Sequence, residues 1–211
     1  MLGNHGRSLA TTVFTPFARL LARLHITPNM VTVGSALVVA GLSLGLLARG
    51  DFGLGAVLVG LVLLADSVDG VLSRLTGAAS DFGAFLDSTM DRLTDGIVFA
   101  SLVWWAMMGM PEGSLRTTTI AAGLVCLVAI GVVPYTRARA ENFGVKATVG
   151  IAERTDRLIV VLLGAALSDW GAGEFFFPLG MVWVAFASCV TIGQRMWVTY
   201  RELSGASRER C

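Results

Sequence analysis

The 211-residue sequence is 55% hydrophobic and 15% charged, with a mean hydropathy of +0.72, where an ordinary soluble domain is about 25% charged; a membrane solvent explains this balance better than a large soluble core. A formal net charge of +1, with no polybasic tail and no interleaving of aromatic and basic residues, gives no footing for nucleic acid as a partner. Cys126, Cys189 and Cys211 lie far apart without CxxC spacing, two of them in apolar runs where a thiol acts as a small hydrophobe, so neither a disulfide framework nor a zinc site is expected.

Met1 to Arg7 leads into no uninterrupted apolar stretch and no small-residue cleavage pattern, so a removed secretory signal is not expected. From Pro16 to His25, Phe17, Leu20, Leu21 and Leu24 recur at helical intervals while Arg19 and Arg23 share another face. This pattern predicts an amphipathic juxtamembrane helix on the cytoplasmic surface, the alternative being a short packed helix. Thr27-Pro28-Asn29 then breaks the chain, because proline lacks an N–H and restricts its neighbour.

Six apolar segments follow, at approximately 31–48, 54–73, 83–109, 117–136, 156–173 and 176–199, each near the ~20 residues a bilayer helix needs. The predicted fold is an all-α integral membrane protein, a single domain over 1–211 with an interfacial segment at 1–28, a six-helix bundle at 29–200 and a tail at 201–211. Threading the spans puts Arg49 and Arg116 on one side and the rest of the 16 Lys+Arg on or near the other. By the positive-inside rule the crowded side is cytoplasmic, with both termini there.

Four carboxylates demand an explanation. Asp66 and Asp69 share a face of the second span with Gly70, and Gly83, Asp87 and Asp91 form an i, i+4, i+8 stripe on the third. If the two helices pack as an antiparallel hairpin, the acidic faces converge. An aspartate at a helix centre in the bilayer costs about 2.5–3.5 kcal/mol on insertion scales, so such groups persist only with partners. An oxygen-only donor set without His or Cys favours Mg²⁺ or Mn²⁺, or Ca²⁺, over zinc.

These residues resemble the CDP-alcohol phosphatidyltransferase signature, Asp-x2-Asp-Gly-x2-Ala-Arg-x8-Gly-x3-Asp-x3-Asp. Asp66, Asp69, Gly70, Arg74, Gly83, Asp87 and Asp91 fill it at every spacing, and Ser73 in place of alanine is the sole departure. The resemblance implies that Asp66, Asp69 and Asp87 hold two divalent ions, Mg²⁺ or Mn²⁺, with Asp91 contributing to the second and acting as general base. It also implies that Asn29, Met30, Val31, Thr32 and Ser80 line the nucleotide of CDP-diacylglycerol together with Asp69, Gly70 and Arg74. Paired cations suit a diphosphate cleavage, and a carboxylate within hydrogen-bond reach of an alcohol can take its proton. Arg74 can fork onto phosphate, or serve as an interfacial anchor. Asp95 extends the acidic stripe outside the signature and is expected to pair with a nearby arginine.

A narrower resemblance lies in Tyr135-Thr136-Arg137-Ala138-Arg139-Ala140-Glu141 and Glu153-Arg154-x-x-Arg157-Leu158, which look like the actinobacterial phosphatidylinositol phosphate synthases. It implies inositol phosphate as acceptor, its phosphate received by Arg137, Arg154 and Arg195, in a homodimeric, multi-pass enzyme of a bacterial cell membrane with a cytoplasmic active site. Two alternatives stay open. Glycerol 3-phosphate as acceptor makes the same chemistry a phosphatidylglycerophosphate synthesis, and a cation or proton transporter also uses intramembrane carboxylates, although it is expected to spread them through the bilayer depth.

Overall fold

A computed structural model of the chain describes residues 26–76 and 80–208, with the side chains of 67–71, 73–76 and 206–208 outside that description. The expected helix at Pro16–His25 falls outside the described residues. Six helices follow in order: α1 (Pro28–Gly45), a 3₁₀ turn at Leu47–Arg49, α2 (Phe52–Thr76), α3 (Asp81–Met108), α4 (Ser114–Glu141), α5 (Arg154–Asp169) and α6 (Phe176–Arg208), with no strand among the described residues.

Local chemistry sets the helix starts nearest the acids. Thr27 caps α1, its side chain accepting from the Met30 N–H at 3.3 Å with Pro28 at the first position. Ser80 caps α3 by accepting from the Gly83 N–H at 3.0 Å. Glu153 and Asp156 form a reciprocal capping box on α5.

Among the described residues, three helical segments are long and apolar enough to cross a membrane, Pro28–Arg49, Ser114–Glu141 and Phe176–Gly205. The first 15 residues of α3 instead carry Asp81, Asp87, Asp91, Arg92 and Asp95, and the apolar stretch of α2, Phe52–Asp66, is shorter. Several helix ends differ from the sequence reading, as where α4 runs on to Glu141 rather than 136, and two of the differences have a local cause. The fifth segment stops at Asp169 rather than 173, because Gly171 (φ 81°) and Gly173 (φ 149°) turn the chain and Ser168 Oγ bridges the turn, donating to the Gly173 carbonyl and accepting from the Phe177 N–H. The last helix runs through the expected tail to Arg208, since no breaker follows Tyr200 before Gly205.

The main packing partners close a ring in the order α1, α2, α5, α6, α4, α3. Among the described residues α2 and α3 pack chiefly on α1 rather than on each other, and the expected convergence of Asp66 with Asp87 and Asp91 is reached beside that shared helix. At the other end the buried Phe52 and Phe177 and the partly buried Trp105, from α2, α6 and α3, form an aromatic cluster with ring centroids 4.6–5.8 Å apart. Asp66 and Asp91 each lie 14 residues from that cluster along their helices, about 21 Å at 1.5 Å per residue.

Helices α5 and α6 cross at backbone contact: a methyl on Gly164 would sit 2.7 Å from the Phe176 carbonyl oxygen. Gly164→Ala should lower stability by about 1–3 kcal/mol through overpacking. Gly131→Ala, which meets nothing within 4 Å, should leave it unchanged or slightly raised. Thermal unfolding of the two variants in detergent checks the contrast.

Candidate active site

Asp66 on α2 and Asp87 and Asp91 on α3 each place a carboxylate oxygen such that all three lie within 4.8 Å of one another. All three are half-buried. Ser35 on α1 donates to Asp66 Oδ1, so the helix between the two acidic ends also orients one of the acids. A small cavity above them is lined by Thr32, Ser35, Leu63, Asp66, Asp91 and Thr94 among others. Asp69, Gly70 and Arg74 lie on the stretch of α2 whose side chains are outside the described set.

The donor set fits a hard divalent cation. Three oxygens from three carboxylates within 4.8 Å repel one another when ionised, and oxygen ligands without nitrogen or sulfur are what Mg²⁺ and Mn²⁺ favour.

The residues expected around a nucleotide are partly gathered. A methyl group on Gly83 would sit 3.2 Å from Asn29 Oδ1 and 3.2 Å from Ser80 Oγ, so the starts of α1 and α3 meet where Gly83 leaves room. Thr32 is buried, its hydroxyl donating to the Pro28 carbonyl, whereas Met30 is 59% exposed. Successive helical residues turn by about 100°, which is why the run Asn29 to Thr32 does not present one face.

Arg137, Arg154 and Arg195 line a single cavity of about 310 Å³, and Arg92 and Arg157 join them there. The loop before α5 is what brings α5 to this place. Thr191 on α6 accepts from the Ile151 and Ala152 N–H groups at 3.2 and 3.1 Å, and one turn later the buried Arg195 donates to the carbonyls of Val149 and Val133. Arg137 is held by Glu141 at 2.9 Å across one turn of α4.

The basic cavity and the acidic cluster adjoin through Arg154. Its Nη1 lies 2.9 Å from Asp91 Oδ1 and its Nε donates to Asp95 Oδ1 at 3.0 Å; Arg92 Nη2 stands 3.9 Å from Asp91 Oδ2. Asp95 thus has the arginine partner expected of it. Beside Arg154, an apolar groove of about 340 Å³ runs between α2 and α5, lined by Leu63, Leu64, Leu158, Leu162 and Trp170 among others.

Sequence reasoning missed Ser35 and Arg92 as neighbours of the site, and named Arg157 only within the Glu153 to Leu158 motif, without a role. Ser35 gives no signal, since a serine three residues beyond Thr32 is ordinary in an apolar helix. Arg157 carries a weak one, lying one turn from Arg154 on the same helix.

The family model described as CDP-alcohol phosphatidyltransferase matches residues 25–193. The chain is 45% identical over 188 residues to the phosphatidylinositol phosphate synthase of Mycolicibacterium smegmatis, covering 86% of this chain and 81% of that one. It superposes on the crystal structure of the Mycobacterium tuberculosis phosphatidylinositol phosphate synthase with CDP-DAG bound at a TM-score of 0.84, with 37% identity over 90% of this chain and 94% of that chain. The structure of the same enzyme in complex with manganese and citrate gives a TM-score of 0.83, with 37% identity over 89% and 88% of the two chains.

Removing one oxygen donor from so small a cluster should weaken cation binding sharply. Asp87→Asn is expected to lower Mn²⁺ affinity by about tenfold or more, as measured by calorimetric titration of the purified protein, whereas Asp81→Asn, an acid outside the cluster, should bind as the parent does.

Proposed function

The chain belongs to the CDP-alcohol phosphatidyltransferase family, and from that premise we propose that it is a phosphatidylinositol phosphate synthase, which moves the phosphatidyl group of CDP-diacylglycerol onto 1L-myo-inositol 1-phosphate and releases CMP. The observation that carries the acceptor is the cavity where Arg137, Arg154 and Arg195 meet beside Asp91. Planar guanidinium forks suit a phosphate dianion, and a neutral alcohol would leave Arg195, which has no acid within ion-pair distance among the described residues, without a counter-ion.

In this reading Asp66, Asp69, Asp87 and Asp91 hold two divalent ions, Mg²⁺ or Mn²⁺. When bound, the ions neutralise the charge that develops on the diphosphate oxygens and on CMP. Asn29, Met30, Val31, Thr32, Gly70, Arg74 and Ser80, with Asp69, receive the cytidine diphosphate. The groove between α2 and α5 takes an acyl chain; Leu63 lines both the groove and the acid cavity, so a lipid held there has its headgroup end at the acids. Asp91 accepts the proton of the acceptor hydroxyl as its oxygen bonds to the phosphatidyl phosphorus. The bond from that phosphorus to the bridging oxygen of CMP breaks, and CMP leaves with the electron pair.

The same proposal covers topology: six spans, α5 short among them, with both termini and the acidic end cytoplasmic under the positive-inside rule, in a homodimer through the third and fourth spans in a bacterial cell membrane. The acids gather within 4.8 Å of one another rather than being spread through the bilayer depth, which supports the enzyme over an ion path.

Purified protein given CDP-diacylglycerol and labelled inositol phosphate should release CMP and form phosphatidylinositol phosphate. Product only with glycerol 3-phosphate would reassign it to phosphatidylglycerophosphate synthesis. EDTA should abolish turnover and Mg²⁺ or Mn²⁺ restore it. Asp91→Asn should cut the rate of CMP release by about 10²–10⁴ while membrane insertion, followed by fractionation, is retained.

A further inference from the structure

Asp95 lies outside the signature spacing, yet it is the one acidic side chain buried among the described residues, at 2% exposure. It sits one helical turn beyond Asp91 on α3. Its Oδ1 accepts from Arg154 Nε at 3.0 Å, and its Oδ2 is 4.0 Å from Arg157 Nη2. Arg154 is therefore divided between two carboxylates, Nε on Asp95 and Nη1 on Asp91 at 2.9 Å. Arg157, 3% exposed, has no hydrogen-bond partner for Nε or Nη1 among the described residues, and both arginines line the basic cavity.

A buried carboxylate needs cationic partners to offset its desolvation, and here a single carboxylate serves two arginines of the same cavity wall. A guanidinium is a rigid plane, so anchoring Nε fixes the direction in which the remaining N–H groups point. With that anchor removed, the flexible stem of Arg154 has only Asp91 to follow, and Arg157 faces the cavity with no counter-ion within 4.0 Å. The first change would leave the Arg154 plane free to turn about its single contact with Asp91, so that its remaining N–H groups no longer hold one direction toward an incoming phosphate.

We propose that Asp95 is a positioning residue for the acceptor: it fixes Arg154 and Arg157 in the wall of the basic cavity so that their remaining N–H groups meet the acceptor phosphate. The inference rests on the reading of a phosphorylated acceptor given above.

The test uses the purified full chain in detergent, as parent, Asp95→Asn and Arg157→Gln, with thermal unfolding to establish that each is folded. Two measurements are made: the KM of each substrate with kcat, and calorimetric binding of inositol phosphate in EDTA, with and without CDP-diacylglycerol. Both variants should raise the KM for inositol phosphate and weaken its binding by about tenfold or more, the loss expected for a displaced charged hydrogen bond, while the KM for CDP-diacylglycerol stays within about twofold. Parent-like acceptor KM and binding in a folded variant, or equal rises in both KM values, would overturn the proposal and leave Asp95 a packing partner. Should Asp95→Asn not fold, Arg157→Gln decides. A parent protein that neither binds nor turns over inositol phosphate, but uses glycerol 3-phosphate, overturns the acceptor reading instead, and the same comparison with that ligand then tests Asp95 separately.

Discussion

Carboxylates carried on otherwise apolar helices have to be matched by positive charge, and the way this chain matches them sets the rest of its architecture. The acids fall into two groups that are handled differently. Asp95 is enclosed and met by Arg154, with Arg157 beside it. Asp66, Asp87 and Asp91 are half-buried and crowded within 4.8 Å, and among the described residues only Asp91 has arginines within ion-pair distance. Three acids sharing so little positive charge are stable in ionised form only with further cations, which is the electrostatic basis for a metal site here rather than an internally neutralised cluster.

Keeping that site open requires that the acidic helices not collapse on each other. The ring arrangement does this by placing α1 against both α2 and α3, while Phe52, Trp105 and Phe177 tie the far ends of α2, α3 and α6 together. One end of the bundle is thus locked by apolar packing and the other is spread around polar groups. The basic wall is fixed by a different device. Thr191 and Arg195 use one face of α6 to hold the backbone of the loop that leads into Arg154, so the arginine approaches Asp91 from a strapped segment rather than a loose one.

The elements that were legible in the sequence are those whose signal is local. Thr27-Pro28 marks the start of α1 through capping and the missing proline N–H, and the acid spacing on α3 places Asp87 and Asp91 on one face before any tertiary contact is known. The gathering of Arg137, Arg154 and Arg195 was legible only by resemblance, because they come from α4, α5 and α6 and their spacing in sequence carries no geometry. Illegible were the features that depend on which helices touch. Spacing permits an α2–α3 hairpin as readily as the observed placement around α1, and Ser35 meets Asp66 only because of that placement. The early end of α5 follows from two positive-φ glycines in a turn bridged by Ser168, a contact between residues that an apolar stretch of the same length conceals.

Under the proposed function the charges of the cavity select a class of acceptor and its remaining lining selects within that class. Inositol phosphate and glycerol 3-phosphate carry the same phosphate, so the arginines favour both over any neutral alcohol and separate them little. The cavity also presents Glu141 and Glu153, with Thr155 between the latter and Arg157. Carboxylates are acceptors only, and a hydroxylated ring offers them more donors than a three-carbon chain does. Both glutamates are exposed, so water pairs them when a smaller ligand does not, and the discrimination they add is modest. Preference for the larger polyol then rests on the acidic residues of a basic pocket, and the pair between Arg137 and Glu141 at 2.9 Å places one of those acceptors beside one of the phosphate ligands, where a ring carrying both groups engages them together.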